Sequence, residues 1–234
     1  MILTVLQPNY LPSVRWCARA RAADHVVWGE TFQYSRRSPV SRTAIKSAGE
    51  SIRLSVPVKT AGRRAMMIRD AVIDNGRCWR RTHWRAIENN YAKSPYFLCY
   101  ADELKTAYTR NWETLESLLN WSALFLLKQC GTGINMIKSR SLPGIKERTE
   151  RVVAWLAACS CSTYLLTPEE LGLIDGYRIR SAGYKLALFR WQSVDYHQAD
   201  GPFISGLSAL DLIMNEGELS GRVVEKGIKT EILV

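Results

Sequence analysis

The opening of the chain constrains the fold most. Ile2 to Leu6 is a short apolar run that passes without a spacer into Gln7-Pro8-Asn9-Tyr10-Leu11-Pro12. An apolar run of that length, closed by turn residues, reads as a first buried strand feeding a polar loop. In α/β sheets, ligands bind outside the carboxyl ends of strands, so this loop stands where a site is expected. Gln7 and Asn9 carry amides that both donate and accept hydrogen bonds. A rigid turn accounts for the prolines equally well. The same start lacks a basic n-region, so no signal peptide is expected.

Helix and strand signals alternate along the rest of the chain. Ser13 reads as the cap of a helix reaching Ala23, and His25 to Trp28 as a second buried strand. Arg42 to Lys46 and Ser51 to Val58 form a hairpin pattern around Ala48-Gly49-Glu50, and Arg69 to Ile73 reads as another strand. Trp79, His83, Ile87 and Tyr91 recur on one face of a helix that runs to Lys93 and stops at Ser94-Pro95. A long helical pattern from Tyr100 through Cys130 divides near Asn120. Asn135 to Lys138, Ser162 to Leu166 and Tyr184 to Trp191 read as strands, with helices from Glu147 to Ala158 and from Ser205 to Asn215. This order predicts an α/β class: a mixed sheet flanked by helices, in a single compact domain with room for a helical lobe. Residues 1–217 are expected to form the domain and 218–234 a tail whose order the sequence leaves open.

The 234 residues are 47% apolar, enough for a sizeable core. No apolar run approaches the roughly 20 residues a membrane helix needs, so no membrane partner is expected and the cytoplasm is the default compartment. G-x-G-x-x-G, P-loop and G-x-S-x-G motifs are absent, which speaks against common dinucleotide, NTPase and hydrolase sites; no cofactor is expected. Six cysteines without a Cys-x-x-Cys pair and three scattered histidines give no local metal motif; reduced, metal-free thiols are expected.

Charge is more telling. The formal net charge is +10, and it is uneven: residues 1–100 hold 17 basic and 6 acidic side chains, the remainder 15 and 16. That asymmetry points to an anionic partner, or to a solvated basic face. Behind the second strand, Glu30, Gln33, Tyr34, Arg36, Arg37 and then Arg42 combine an acid, an amide, a phenol and three guanidiniums suited to carboxylate or phosphate. A solvated loop is the alternative. His83 among Trp and Ile reads either as a satisfied core residue or as a base, with Tyr91 on its face as a hydrogen-bond partner. Arg77, Arg80, Arg81 and Arg85 nearby should favour its neutral form. Asp195-Tyr-His197-Gln198 and the later Ser208 to Asp211 suit a site or a helix start.

Taken together, these segments resemble the WbqC-like proteins. The resemblance is carried by Gln7-Pro8-Asn9-Tyr10-x-Pro12, by Asp24-His-Val-Val-Trp-Gly-Glu30 with Gln33-Tyr34, and by Leu54-Ser-Val-Pro57-Val. It continues through Trp79-x-x-x-His83-x-x-x-Ile87-x-x-x-Tyr91 with Ser94-Pro95-Tyr96-Phe97, and ends in Phe203-Ile-x-x-Leu207-Ser208-x-Leu210-Asp211-Leu212. It implies a bacterial cytoplasmic protein of surface-polysaccharide or related biosynthesis, in a family suggested to include amino-acid (glycine) transferases. The chain departs from the family pattern at Glu30, Arg42-Thr43, Leu166 and Gln192-Ser193, which suits a changed substrate.

Three readings follow. In the first, an acyl- or aminoacyl-transferase forms an amide on an anionic or nucleotide-linked small molecule. Arg36, Arg37 and Arg42 hold the anion, His83 or Glu30 takes a proton, and Gln7, Asn9, Tyr10, Gln33, Tyr34 and Tyr91 line the substrate site. In the second, the basic face and interleaved aromatics bind nucleic acid such as tRNA. In the third, the chain is a non-catalytic partner in a biosynthetic complex.

Overall fold

The computed structural model describes residues 1–60, 65–133 and 135–233. Arg63 and Arg64, two of the N-terminal arginines, and Val234 at the end of the expected tail lie outside the described residues.

Strands of four to seven residues, apolar at the centre and more polar at the two edges, build one six-stranded sheet. They are β1 (Ile2–Leu6), β2 (His25–Trp28), β5 (Asn135–Lys138), β6 (Thr163–Leu166), β7 (Lys185–Trp191) and β8 (Ile228–Leu233), in the order β5-β2-β1-β6-β7-β8. The first five run parallel and β8 pairs antiparallel to β7. β3 (Arg42–Ser47) and β4 (Glu50–Ser55) form the separate expected hairpin, with Ala48 and Gly49 both at positive φ in its turn.

Alternation along the central strands gives each face its own core. Leu3, Val5 and Val27 meet Val152, Trp155 and Leu156 of α5 (Arg148–Ala158). Leu6, Val26 and Trp28 meet Trp16, Cys17 and Ala20 of α1 (Val14–Arg21). α1 carries the chain from β1 to β2, and α5 carries it back from β5 to β6. Right-handed crossovers running in opposite directions put their helices on opposite faces. A crevice therefore opens where the two directions part, between the carboxyl ends of β1 and β6.

Between β2 and β5 the chain inserts the hairpin and a helical lobe: α2 (Trp79–Tyr91), α3 (Phe97–Thr109) and α4 (Leu115–Gln129). Two expectations change here. The long helical pattern breaks at 110–114, not near Asn120, because Thr114 caps α4 by accepting from the Ser117 amide at 3.3 Å and Arg110 turns extended. Arg69 to Ile73 is not a strand. The amides of Ile68 and Arg69 donate to the Phe32 and Glu30 carbonyls, and Ile68–Asp70 closes into a 3-10 turn.

Two short helices, α6 (Pro168–Leu171) and α7 (Gly176–Ser181), link β6 to β7. α8 (Ala209–Glu216) packs beside α1 and α4, and the stretch expected as a tail supplies α9 (Ser220–Lys226) and the edge strand β8. Among the described residues, no helix is long and apolar enough to cross a membrane.

Candidate functional site

The loop after β1 is fixed from every side. The Tyr10 amide donates to the Pro39 carbonyl at 3.0 Å, and Trp16 Nε1 donates to the Gln7 carbonyl at 3.0 Å. The Leu11 amide donates to Ser122 Oγ at 3.2 Å, while Thr43 Oγ1 donates to the Leu11 carbonyl at 2.8 Å. Leu11 is fully buried at φ 40°, a left-handed conformation that a leucine holds only where its surroundings dictate it.

Beneath the loop lies a buried polar cluster. Tyr10 is 1% exposed, and its hydroxyl meets His83 Nδ1 at 2.9 Å and the Tyr108 hydroxyl at 2.5 Å. Trp79 sets its ring edge-on to His83, with centroids 5.3 Å apart. Burial pushes His83 down to about 4, against a hydrogen bond to the Ser55 backbone that favours the proton. The ring is therefore neutral near pH 7. The neutral ring shares one hydrogen with the Tyr10 hydroxyl, and the Tyr10 and Tyr108 hydroxyls share another. Neutrality was expected from neighbouring arginines; burial is the larger cause. The partner is Tyr10 and not Tyr91. Tyr91 is buried elsewhere, donating to Asp211 Oδ1 at 2.8 Å and accepting from the Lys46 amide at 3.1 Å. Tyr196 holds the other oxygen of Asp211 at 2.7 Å, and burial raises this carboxyl above its ordinary range.

Above the loop is a cleft of about 690 Å³ over the carboxyl ends of β1 and β6. Gln7, Asn9 and Gln33 line it, and their side-chain amides make no hydrogen bond to other described residues. Trp16, Phe32 and Trp155 add apolar wall. Arg148 and Arg151 enter from the first turns of α5, with no carboxylate among the described residues at ion-pair distance. Arg151 is held in place by donation to the Ile145 carbonyl at 3.1 Å and by the rings of Phe32 and Trp155 at 5.8 and 5.5 Å. Arg19, in contrast, is spent on structure. It donates to Thr4 Oγ1 and the Leu165 carbonyl and pairs with Glu170 at 2.7 Å, tying β1 to β6.

A second chamber, of about 500 Å³, shares Asn9 and Pro39 with the first. Arg37 and Arg42 line it, together with Arg53 from β4. The opening loop and the segment around residues 33–42 thus border the same pair of chambers. Other candidates lie apart. Arg36 is exposed and hydrogen-bonds Thr60, and the Tyr34 hydroxyl meets Ser41 Oγ at 3.0 Å. Glu30 is fully buried: Oε2 accepts from the Ser139 amide and hydroxyl, each at 3.0 Å, and Oε1 from the Arg140 amide at 2.9 Å. Both carboxylate oxygens fix the backbone that follows β5.

Sequence reasoning missed Arg148, Arg151 and Arg53. A signal existed for the first two. Arginine in the first turns of a helix opposes the macrodipole. Glu147 takes the capping role there, accepting from the Thr149 and Glu150 amides at 2.9 and 2.6 Å.

Comparison with known proteins covers nearly the whole chain. The chain is 28% identical over 217 residues to "Uncharacterized protein Rv1507c" of Mycobacterium tuberculosis, covering 92% of this chain and 94% of that one. No solved structure is a significant match. The model of the WbqC-like protein family matches residues 7–223, from the loop after β1 to within α9. The chain belongs to the WbqC-like protein family.

Proposed function

We propose that this protein is a biosynthetic transferase that takes an anionic, nucleotide-linked substrate into the cleft and passes an acyl or aminoacyl group to an amine. The observation that carries the reading is the coincidence, above the β1/β6 crevice, of Arg148 and Arg151 with the amides of Gln7, Asn9 and Gln33, the arginines without an ion pair and the amides without a hydrogen bond among the described residues. The guanidiniums hold the anion. The amide N–H groups hydrogen-bond the carbonyl oxygen as the amine attacks its carbon and negative charge develops there; the bond from that carbon to the donor's phosphate or thiol then breaks, and the departing group takes the proton that the amine gives up. In this reading Glu30 and His83 are positioning residues. Glu30 fixes Ser139 and Arg140, and His83 holds Tyr10 and through it the loop. Neither is asked to move a proton.

Calorimetric titration of the full chain with nucleoside diphosphate sugars, acyl nucleotides and acyl thioesters tests it. At least one class should bind, and Arg151→Gln should weaken that ligand about tenfold or more, as expected for removing one side of a charge-assisted contact. No binding at millimolar ligand, or equal binding by Arg151→Gln, removes the reading.

A nucleic-acid partner is a second reading, favoured by Arg81 and Arg85. They are exposed one turn apart on α2, without an ion pair among the described residues. Binding of tRNA through several phosphates should weaken steeply with salt, while a single anion in a cleft should show a shallow slope.

A further inference from the structure

The second chamber has a composition that the transferase reading does not use. Arg42 on β3 and Arg53 on β4 lie on one face of the hairpin, because Ala44 is opposite Arg53 and Arg42 is two residues from Ala44. Like charges on diagonal cross-strand neighbours repel. Arg37 joins them from the other wall at φ 63°, a left-handed conformation uncommon for arginine. None of the three has a carboxylate at ion-pair distance, and no acidic side chain lines the chamber, among the described residues.

Two helix starts also converge there. Ser13 caps α1 and Ser208 caps α8, both serines line the chamber, and their backbones form a single antiparallel bridge. Each hydroxyl oxygen accepts from its helix, Ser13 from the Trp16 amide at 3.4 Å and Ser208 from the Leu210 amide at 3.1 Å. Among the described residues neither hydroxyl donates to a protein acceptor, so both have a donor to offer. Each helix end adds roughly half a positive charge. The one acid in the first turn of α8, Asp211, is buried and held by Tyr91 and Tyr196.

Three guanidiniums, two helix ends and two hydroxyl donors around one space exceed what a single carboxylate can neutralise. A phosphate ester carries about −1.5 to −2 charges near pH 7 and three acceptor oxygens. We infer that the second chamber is a phosphate or diphosphate subsite, joined to the principal cleft at Asn9. It rests on the reading of the cleft as a substrate site and adds the class of group that the substrate presents beyond the loop. The phosphate belongs either to the far end of the ligand in the principal cleft or to a separate co-substrate.

The test is titration of the full chain with inorganic pyrophosphate and orthophosphate. Pyrophosphate should bind more tightly, and Arg53→Gln should weaken it about tenfold or more, whereas Arg190→Gln, an exposed change on β7, should leave it unaltered. Arg37→Gly gives a readout that a folding defect cannot imitate: relief of the left-handed strain should hold or raise the thermal midpoint while pyrophosphate affinity falls. Equal binding by wild type, Arg53→Gln and Arg37→Gly overturns the subsite. Loss of binding in Arg151→Gln but not in Arg53→Gln places the phosphate in the principal cleft, which also overturns it and leaves the transferase reading intact. If a nucleotide-linked ligand and pyrophosphate exclude one another, one ligand spans both chambers; if they bind together, the phosphate comes from a co-substrate.

Discussion

The loop after β1 has two sides built on opposite rules. Below it, Tyr10, His83 and Tyr108 are buried and hydrogen-bonded to one another. Above it, Gln7 and Asn9 border open space with no side-chain hydrogen bond to the described residues, beside Arg37, Arg42, Arg148 and Arg151, which have no carboxylate among those residues at ion-pair distance. The lower side shows what a buried polar group demands, a partner for its donors and acceptors. The upper side shows polar groups left available. The difference teaches that order and availability are divided: the satisfied side sets the coordinates of the unsatisfied one.

Breaking the lower side should have the largest effect. Tyr10→Ala removes a buried ring and leaves His83 and Tyr108 without their shared partner. A cost of about 3–5 kcal/mol is expected from the cavity alone, which lowers the thermal midpoint by roughly 10 °C in a chain of this size. A fall of only a degree or two would show that the loop is held by its other bonds.

The next effect is a pH dependence. His83 titrates near 4 in the folded state against 6.5 when unperturbed. Between these values the unfolded chain binds more protons than the folded one, so stability is lost as pH falls from about 6.5 to 4 and the loss levels off below. The shift corresponds to about 3 kcal/mol. Urea unfolding at pH 7 and pH 4.5 should show His83→Gln with a smaller loss than wild type. Equal losses would mean that His83 does not carry the dependence.

On the upper side the sign of the comparison reverses. Asn9→Ala should move stability by no more than about 0.5 kcal/mol, yet weaken ligands of either chamber several-fold, since Asn9 borders both. If stability falls and binding does not, Asn9 belongs to the lower side.

Much of the frame was legible in the sequence. Short apolar runs bounded by turn residues gave β1, β2 and β6, because strands buried on both faces have little else to show. The inward face of α2 was equally plain, since Trp79, His83, Ile87 and Tyr91 keep helical spacing and are all buried. The 3-10 turn at Ile68–Asp70 was not, because its geometry follows from the Glu30 and Phe32 carbonyls far away in sequence. The site divided the same way. Gln7, Asn9 and Gln33 stood next to strands, so their place at the carboxyl edge could be reasoned out. Arg148 reaches the cleft only because β6 lies beside β1, a neighbourhood that no local pattern announces. Glu30 looked reactive because the sequence does not reveal the Ser139 and Arg140 amides that occupy it.

The place of β1 in the strand order has a consequence for biogenesis. It precedes the other strands of its sheet in the chain, yet it pairs with β2 on one side and with β6 on the other, where Ile2 is opposite Thr163. The β2 edge in turn waits for β5, across the whole hairpin and helical lobe. An emerging chain therefore carries an apolar strand with an open hydrogen-bonding edge until β6 has been made. Such non-local pairing is slow to form and exposes sticky edges in the interval. The polar, proline-rich segment that follows β1 then has a second use during synthesis: it interrupts the run before it is long enough to recruit another chain.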